Sequence, residues 1–167
     1  MPNPNPPSKN QPTPSSKTTP SNSPLERSWA YTEIVKEHFL NPRNFLMGDE
    51  TAWRADGEGL VGNPICGDQM LVKIRVKTTD SGEEVIDNIA WKTYGCASAI
   101  ASTSALSELA KGRSLDAATK ISAKEICDFL GVLPEHKFHC SVLGHDALRK
   151  AIANYREKST SPAKTQN

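Results

Sequence analysis

The chain is predicted to fold as one α+β domain, a small antiparallel β-sheet covered by helices. Three observations predict it. Two neighbouring segments alternate like strands and share a turn signal, most helix-start patterns follow them, and a polar N-terminus leaves residues 25–157 to build one core.

Taken in order, residues 25–40 read as a helix. Tyr31, Ile34, Val35, Phe39 and Leu40 fall near helical spacing, and Asn41-Pro42 stops the run, because a proline disfavours α conformation in the residue before it. Residues 41–56 are polar and irregular, and the glycine-rich GEGLVGNPICGD at 57–68 predicts close turns. MLVKIRV at 70–76 alternates, with Leu71, Lys73 and Arg75 on one face and Val72, Ile74 and Val76 on the other. Asp80-Ser81-Gly82 signals a turn, and VIDNIAWKTY at 85–94 is the returning strand of an antiparallel hairpin.

Gly95-Cys96 ends that strand, and 97–111 reads as a helix packed through small residues and closed by Gly112. Ser114 and Ser122 each open a helix-start pattern, the second a capping box with Glu125. Phe129-Leu130-Gly131 ends the short helix that follows. Leu133-Pro134 breaks the chain before a last helix over 140–157, with Leu143, Leu148, Ile152 and Tyr155 facing inward.

Residues 1–24 hold eight of the chain's twelve prolines and almost no apolar side chain, too little burial to offset the entropy of ordering, so this segment is expected to be disordered. The polar residues 158–167 are expected to be a frayed tail. Setting aside Lys9 and Lys17, the rest carries 18 basic against 19 acidic residues with no basic stripe, which argues against nucleic acid as a partner. No segment approaches the roughly 20 apolar residues of a membrane span, and the N-terminus has no apolar secretory region and no arginine before Arg27. The expected location is the cytoplasm, where cysteines outside a core serve more often as ligands or nucleophiles than as disulfides.

Of the four cysteines, Cys66 lies in the glycine-rich loop, Cys96 where a strand turns into a helix, and Cys140 where a loop turns into the last helix. A thiol at a helix N-terminus meets unpaired backbone N–H groups and the positive end of the macrodipole, which favour the thiolate that binds metal or attacks sulfur. Asp68 and His139 stand beside two of them. Three thiolates with an imidazole and a carboxylate suit one zinc ion or one small iron–sulfur cluster, and completion by a hard oxygen or a borderline nitrogen suits a cluster meant to leave. Cys127, in KEICDFL, reads as a buried apolar residue. His38 and His145 read as ordinary surface or capping residues, and His136 as a loop residue near the site.

At these residues the chain resembles the IscU/NifU family of iron–sulfur cluster scaffolds, and looks closest to the amino-terminal scaffold domain of NifU. The matching pieces are EHFLNPRN at 37–44, VGNPICGD at 61–68, KTYGCASAIASTSAL at 92–106 and HCSVLGHDALRKAIANYR at 139–156. The resemblance implies the IscU/NifU fold and a non-enzymatic scaffold. Cys66, Cys96 and Cys140 would be cluster ligands and sulfur acceptors, Asp68 the carboxylate that keeps the cluster labile, and His139 an additional ligand. The cargo implied is a transient cluster, [2Fe–2S] in the first instance, built from iron.

The implied partners are a cysteine desulfurase, which delivers sulfur as a persulfide, and carrier or acceptor iron–sulfur proteins. An Hsp70-type chaperone pair recognises L-P-P-V-K in the IscU branch. Here the stretch is Leu133-Pro134-Glu135-His136-Lys137. Whether two chains pair as a homodimer is left open. NifU continues into further cysteine-containing domains after the scaffold, and a chain complete without them is expected to act as a stand-alone scaffold. The zinc-binding SufU branch has an insertion between its second and third cysteines and no histidine before the last one, and His139 places the chain with IscU/NifU. The rival reading is a zinc-bound sulfur acceptor that stimulates a desulfurase, with zinc held by the same residues. A Cys–His hydrolase with Cys140 as nucleophile is the weakest reading, since no third group orients the imidazole.

Overall fold

The computed structural model of the chain describes residues 31–62, 67–131 and 138–160, with backbone only for 138–140. The segment 1–24, residues 25–30 of the expected first helix, Cys66, the 133–137 stretch and residues 161–167 lie outside the described residues.

Helix α1 spans Glu33–Leu40, shorter than the spacing predicts. Thr32 sets the start: its backbone is extended (φ −60°, ψ 160°), its Oγ1 accepts from the Val35 N–H at 3.2 Å, and its hydroxyl donates to the Leu130 carbonyl at 2.8 Å. The inward face takes up only part of the apolar spacing. Val35 and His38 are buried, whereas Ile34, Phe39 and Leu40 are exposed, because a histidine takes a place on the stripe that apolar counting gave to its neighbours.

The sheet has three antiparallel strands in the order β1-β2-β3: β1 Gly57–Gly62, β2 Gln69–Thr78 and β3 Glu84–Tyr94. The hairpin of β2 and β3 matches the alternation, with Gly82 (φ +83°) in the connecting turn and a bulge at Arg75/Val76. Strand β1 corrects the expectation of turns at its position. Its glycines face a helix rather than a corner: a Cβ on Gly57 would lie 2.3 Å from the Ala151 carbonyl oxygen, and one on Gly59 2.2 Å from that of Ala147. The residues serve close approach of strand and helix, which glycine permits as readily as it permits turns.

Helix α2 (Ala97–Ala110) ends at Gly112, whose φ of +81° turns the chain so that its N–H donates to the Ile86 carbonyl at 2.8 Å. Ser114 and Ser122 cap α3 (Leu115–Ala118) and α4 (Ala123–Phe129), each accepting from a backbone N–H three residues on. Helix α5 runs Phe138–Thr160, starting ahead of the expected residue 140 and continuing past 157. Among the described residues no helix is long and apolar enough to cross a membrane.

The core lies between the sheet and the pair α2 and α5. Met70, Val72 and Ile74 of β2 and Ile86, Ile89 and Trp91 of β3 meet Ala99, Ala105 and Leu106 of α2 and Leu143, Leu148 and Ile152 of α5. Residues 49–56 cross part of the opposite face. The Lys73 ammonium donates to the Glu50 carbonyl at 2.6 Å, and the Arg75 guanidinium donates to the Arg54 carbonyl at 2.8 Å while stacking over Trp53. Lys73, on the face opposite Val72 and Ile74, is thereby buried.

Candidate functional site

The site is built at one end of the sheet. The register pairs Gly62 with Gln69 and Gln69 with Tyr94, so Asp68 and Gly95 fall one step beyond the last paired residues. Gly67, at φ +74°, turns the chain toward β2 and leaves Asp68 just ahead of its first residue, 8% exposed. The Asp68 carboxylate lies along Gly95, where a Cβ would stand 3.2 Å from both its Cγ and its Oδ1. The next residue, Cys96, is the N-cap of α2 in extended conformation (φ −77°, ψ 172°), partly buried against the core. Asp68 and Cys96, 28 positions apart in sequence, are thus neighbours through the β2–β3 register.

Helix α5 reaches the same end. Gly57 packs on Ala151 and Tyr155, and Gly59 on Ala147 and Lys150, so α5 runs antiparallel to β1 and its N-terminus lies toward Gly62. Nearly two turns inside it, Gly144 rests against Leu106, Met70 and Thr103, where a Cβ would lie 3.2 Å from the Leu106 Cδ2. The first turn of α5 carries the backbone of His139 and Cys140, followed by Ser141, which is fully buried. Cys66 lies outside the described residues, in the connection between Gly62 and Gly67. The described residues therefore bring Asp68 to Cys96 and put the backbone of 139–140 on the helix end that approaches them. Among the described residues, no group of three or more His, Cys, Asp or Glu is gathered that could hold a metal ion. The donors there are one hard oxygen and one soft sulfur, a mixed set open to borderline metals and sulfur-bridged iron.

Cys127 behaves differently. It packs against the core from α4 but is half-buried rather than buried, and its Sγ shares a hydrogen bond with the Ser141 hydroxyl at 3.5 Å. His136 lies outside the described residues, and the His145 ring sits 3.6 Å from the Asp146 carboxylate, largely covered.

His38 overturns its surface reading. It is 4% exposed, its Nδ1 is 2.8 Å from the Ser104 hydroxyl, its Nε2 is 3.6 Å from the Glu108 carboxylate, and its ring meets Phe129 edge-on. Burial lowers its pKa below the ordinary histidine value, with Arg43 acting the same way and Glu108 and Glu37 opposing. The same hydroxyl accepts from the Arg43 N–H at 2.8 Å, and Ser107 accepts from the Asn44 amide at 2.9 Å. The Trp91 indole N–H donates to the Arg43 carbonyl at 2.7 Å. The EHFLNPRN stretch is therefore a clasp that fastens α1 to the hydroxyl-rich face of α2, the helix whose N-terminus bears Cys96. A serine repeat inside an apolar helix was the available signal, since buried hydroxyls require partners.

The chain was compared with known proteins. Residues 30–162 match the family model of the NifU-like N terminal domain. The nitrogen fixation protein NifU of Azotobacter chroococcum mcd 1 is 48% identical over 128 residues, 77% of this chain and 39% of that protein. The iron-sulfur cluster assembly scaffold protein IscU of Escherichia coli K12 is 46% identical over 132 residues, 77% of this chain and 96% of that protein. The chain thus spans well under half of the NifU protein it matches and nearly all of that IscU. The crystal structure of a NifU-like protein (N-terminal) from Brucella abortus superposes with a TM-score of 0.58 at 18% identity, covering 76% of this chain and 94% of that one, a likeness of fold. By the family model and by the IscU it parallels almost end to end, the chain belongs to the family of NifU-like N-terminal domains.

Proposed function

We propose that the chain is a scaffold on which iron–sulfur clusters are assembled from iron and desulfurase-derived sulfur and then passed to acceptor proteins. Cys66, Asp68, Cys96, His139 and Cys140 are its assembly site. The observation that carries the reading is the meeting of Asp68 with Cys96 at the sheet end toward which α5 brings the backbone of His139 and Cys140, in a chain whose relatives are named as scaffolds. The chain is a platform and turns over no substrate of its own.

A thiolate of the site attacks the terminal sulfur of the desulfurase persulfide. The S–S bond breaks, the desulfurase thiolate leaves, and the scaffold cysteine carries the persulfide. Two electrons from a separate reductant convert that sulfur to sulfide and restore the thiolate. Ferrous iron and sulfide then build the cluster as cargo, [2Fe–2S] in the first instance, between three soft thiolates and the harder donors Asp68 and His139. The oxygen and nitrogen hold it less firmly than a fourth thiolate would, which suits release. The proposed partners are a cysteine desulfurase, acceptor or carrier iron–sulfur proteins and an Hsp70-type chaperone pair, in the cytoplasm. A second copy of the chain supplies further ligands where one alone does not complete the cluster.

The test is anaerobic reconstitution with ferrous iron, cysteine and a cysteine desulfurase, followed by visible absorption and transfer to an apo-ferredoxin. Expected is a cluster that forms and transfers in the wild type and in Cys127→Ala, and is lost in Cys66→Ala, Cys96→Ala and Cys140→Ala. Zinc retained without acid-labile sulfide, with desulfurase turnover still stimulated, would replace the scaffold reading by that of a zinc-bound sulfur acceptor.

A further inference from the structure

Two glycines flank the Asp68 carboxylate, and they are glycines for different reasons. Gly67 has φ +74° and open space where its Cβ would be, so its conformation calls for glycine. Gly95 is not in the left-handed region, and its backbone suits any residue. What it lacks is room: a Cβ there would stand 3.0 Å from the Ala99 Cβ and 3.2 Å from Cγ and Oδ1 of Asp68. Both distances are tighter than ordinary van der Waals contact. The space a side chain would take at 95 is already held by the first turn of α2 and by a carboxylate that is 8% exposed.

We propose that Gly95 is a positioning residue for Asp68: its bare Cα lets the carboxylate lie against the turn that leads into Cys96. In this way it fixes how the oxygen is presented beside the thiol. The inference rests on Asp68 acting as a ligand in the scaffold reading. Of the two groups crowding position 95, Ala99 has no torsion that moves its Cβ and is held in a helix, whereas Asp68 is a short side chain just ahead of strand β2. A methyl group at 95 therefore displaces the carboxylate. Its effect on metal binding must pass through Asp68 and must vanish where Asp68 has no carboxylate.

The experiment is anaerobic titration of the full chain with Co²⁺, followed by its thiolate charge-transfer absorption, with no cluster or desulfurase present. Four proteins are compared with wild type: Gly95→Ala, Gly95→Ala/Ala99→Gly, Asp68→Ala and Gly95→Ala/Asp68→Ala. The second removes the contact with the helix and leaves only the contact with the carboxylate, which keeps the test readable should the single variant fold poorly. Circular dichroism establishes that each is folded. Expected is a Co²⁺ Kd raised about tenfold by Gly95→Ala/Ala99→Gly, the usual cost of disturbing a group that orients a ligand, and no further rise when Gly95→Ala is added to Asp68→Ala. An unchanged Kd with Asp68 present, or an equal loss with and without Asp68, overturns the inference. Indifference of Kd to Asp68→Ala removes the ligand role and the inference with it. A chain that shows the Gly95–Asp68 coupling yet fails to build a cluster supports the inference while the scaffold reading falls.

Discussion

Protonating His38 costs more in the folded chain than in the unfolded one, because the ring is buried and Arg43 adds its charge, and Glu108 and Glu37 only partly offset this. With the folded pKa below the ordinary value, the unfolded chain holds more protons in the window just under that value. The contribution of His38 is therefore present above about pH 6.5 and is lost as pH falls toward the folded pKa. Urea unfolding at pH 7.5 and 5.5 checks this: the wild type should lose more stability on acidification than His38→Gln, and equal losses would refute it. The partner hydroxyl gives a second prediction. Ser104→Ala leaves the buried His38 Nδ1 and the partly buried Arg43 N–H without the oxygen that serves both, at a cost of about 2–3 kcal/mol in a urea titration. Surface serines changed to alanine cost about 0.5 kcal/mol or less. None of this is apparent from spacing, since a lone histidine on a short amphipathic helix looks alike whether it faces water or a hydroxyl of another helix.

At the scale of elements, the strongest dependence lies where β1 meets α5. Gly59→Ala puts a methyl 2.2 Å from the Ala147 carbonyl oxygen and 2.5 Å from the Ala151 nitrogen, both backbone, so strand and helix have to part. Thermal unfolding should report a loss of about 3 kcal/mol, at the upper end of overpacking. Gly62→Ala, whose nearest atom is the Asp68 carbonyl oxygen at 3.8 Å, should change stability by about 0.5 kcal/mol or less. A similar small effect at both positions would mean that the helix yields easily. The contrast also shows which elements were legible. Strands β2 and β3 alternate on a half-buried face, and α2 to α4 announce themselves through a closing glycine and two serine caps, so periodicity and capping sufficed. Strand β1 was hidden because glycine reports only a missing side chain, and a turn and a tight helix contact ask for the same absence. Helix α1 was overextended because its start is set by Thr32, whose hydroxyl also bonds Leu130, a tertiary contact without local signature.

For the molecule as a whole, the two ends of the sheet do different work. The far end is tied down: Glu84 accepts from the Tyr155 hydroxyl, Asp116 from Arg156 at 2.6 Å, and the turn after α2 pairs with Ile86. The near end is where Gly62, Asp68, Gly95-Cys96 and the first turn of α5 come to a stop together. The residue types of the site were readable in the sequence because thiols beside glycines and helix starts are chemically conspicuous. That Asp68 belongs with Cys96 follows only from strand register and the antiparallel course of α5. On the proposed function, a metal bound at that end links Asp68, Cys96 and the first turn of α5, which are far apart in the chain, and it binds the folded chain in preference to the unfolded one. Zinc at a hundred times its Kd should then stabilise the chain by about 2.7 kcal/mol, and the unfolding midpoint should rise with zinc and fall on chelation. Hydrogen exchange should show the added protection concentrated at Asp68, at 95–98 and in the first turn of α5, with little change where Tyr155 and Arg156 already hold the opposite end. The zinc-dependent shift should survive Cys127→Ala and disappear in Cys96→Ala. Protection spread evenly over both ends, or a shift that Cys96→Ala leaves intact, would place the metal elsewhere.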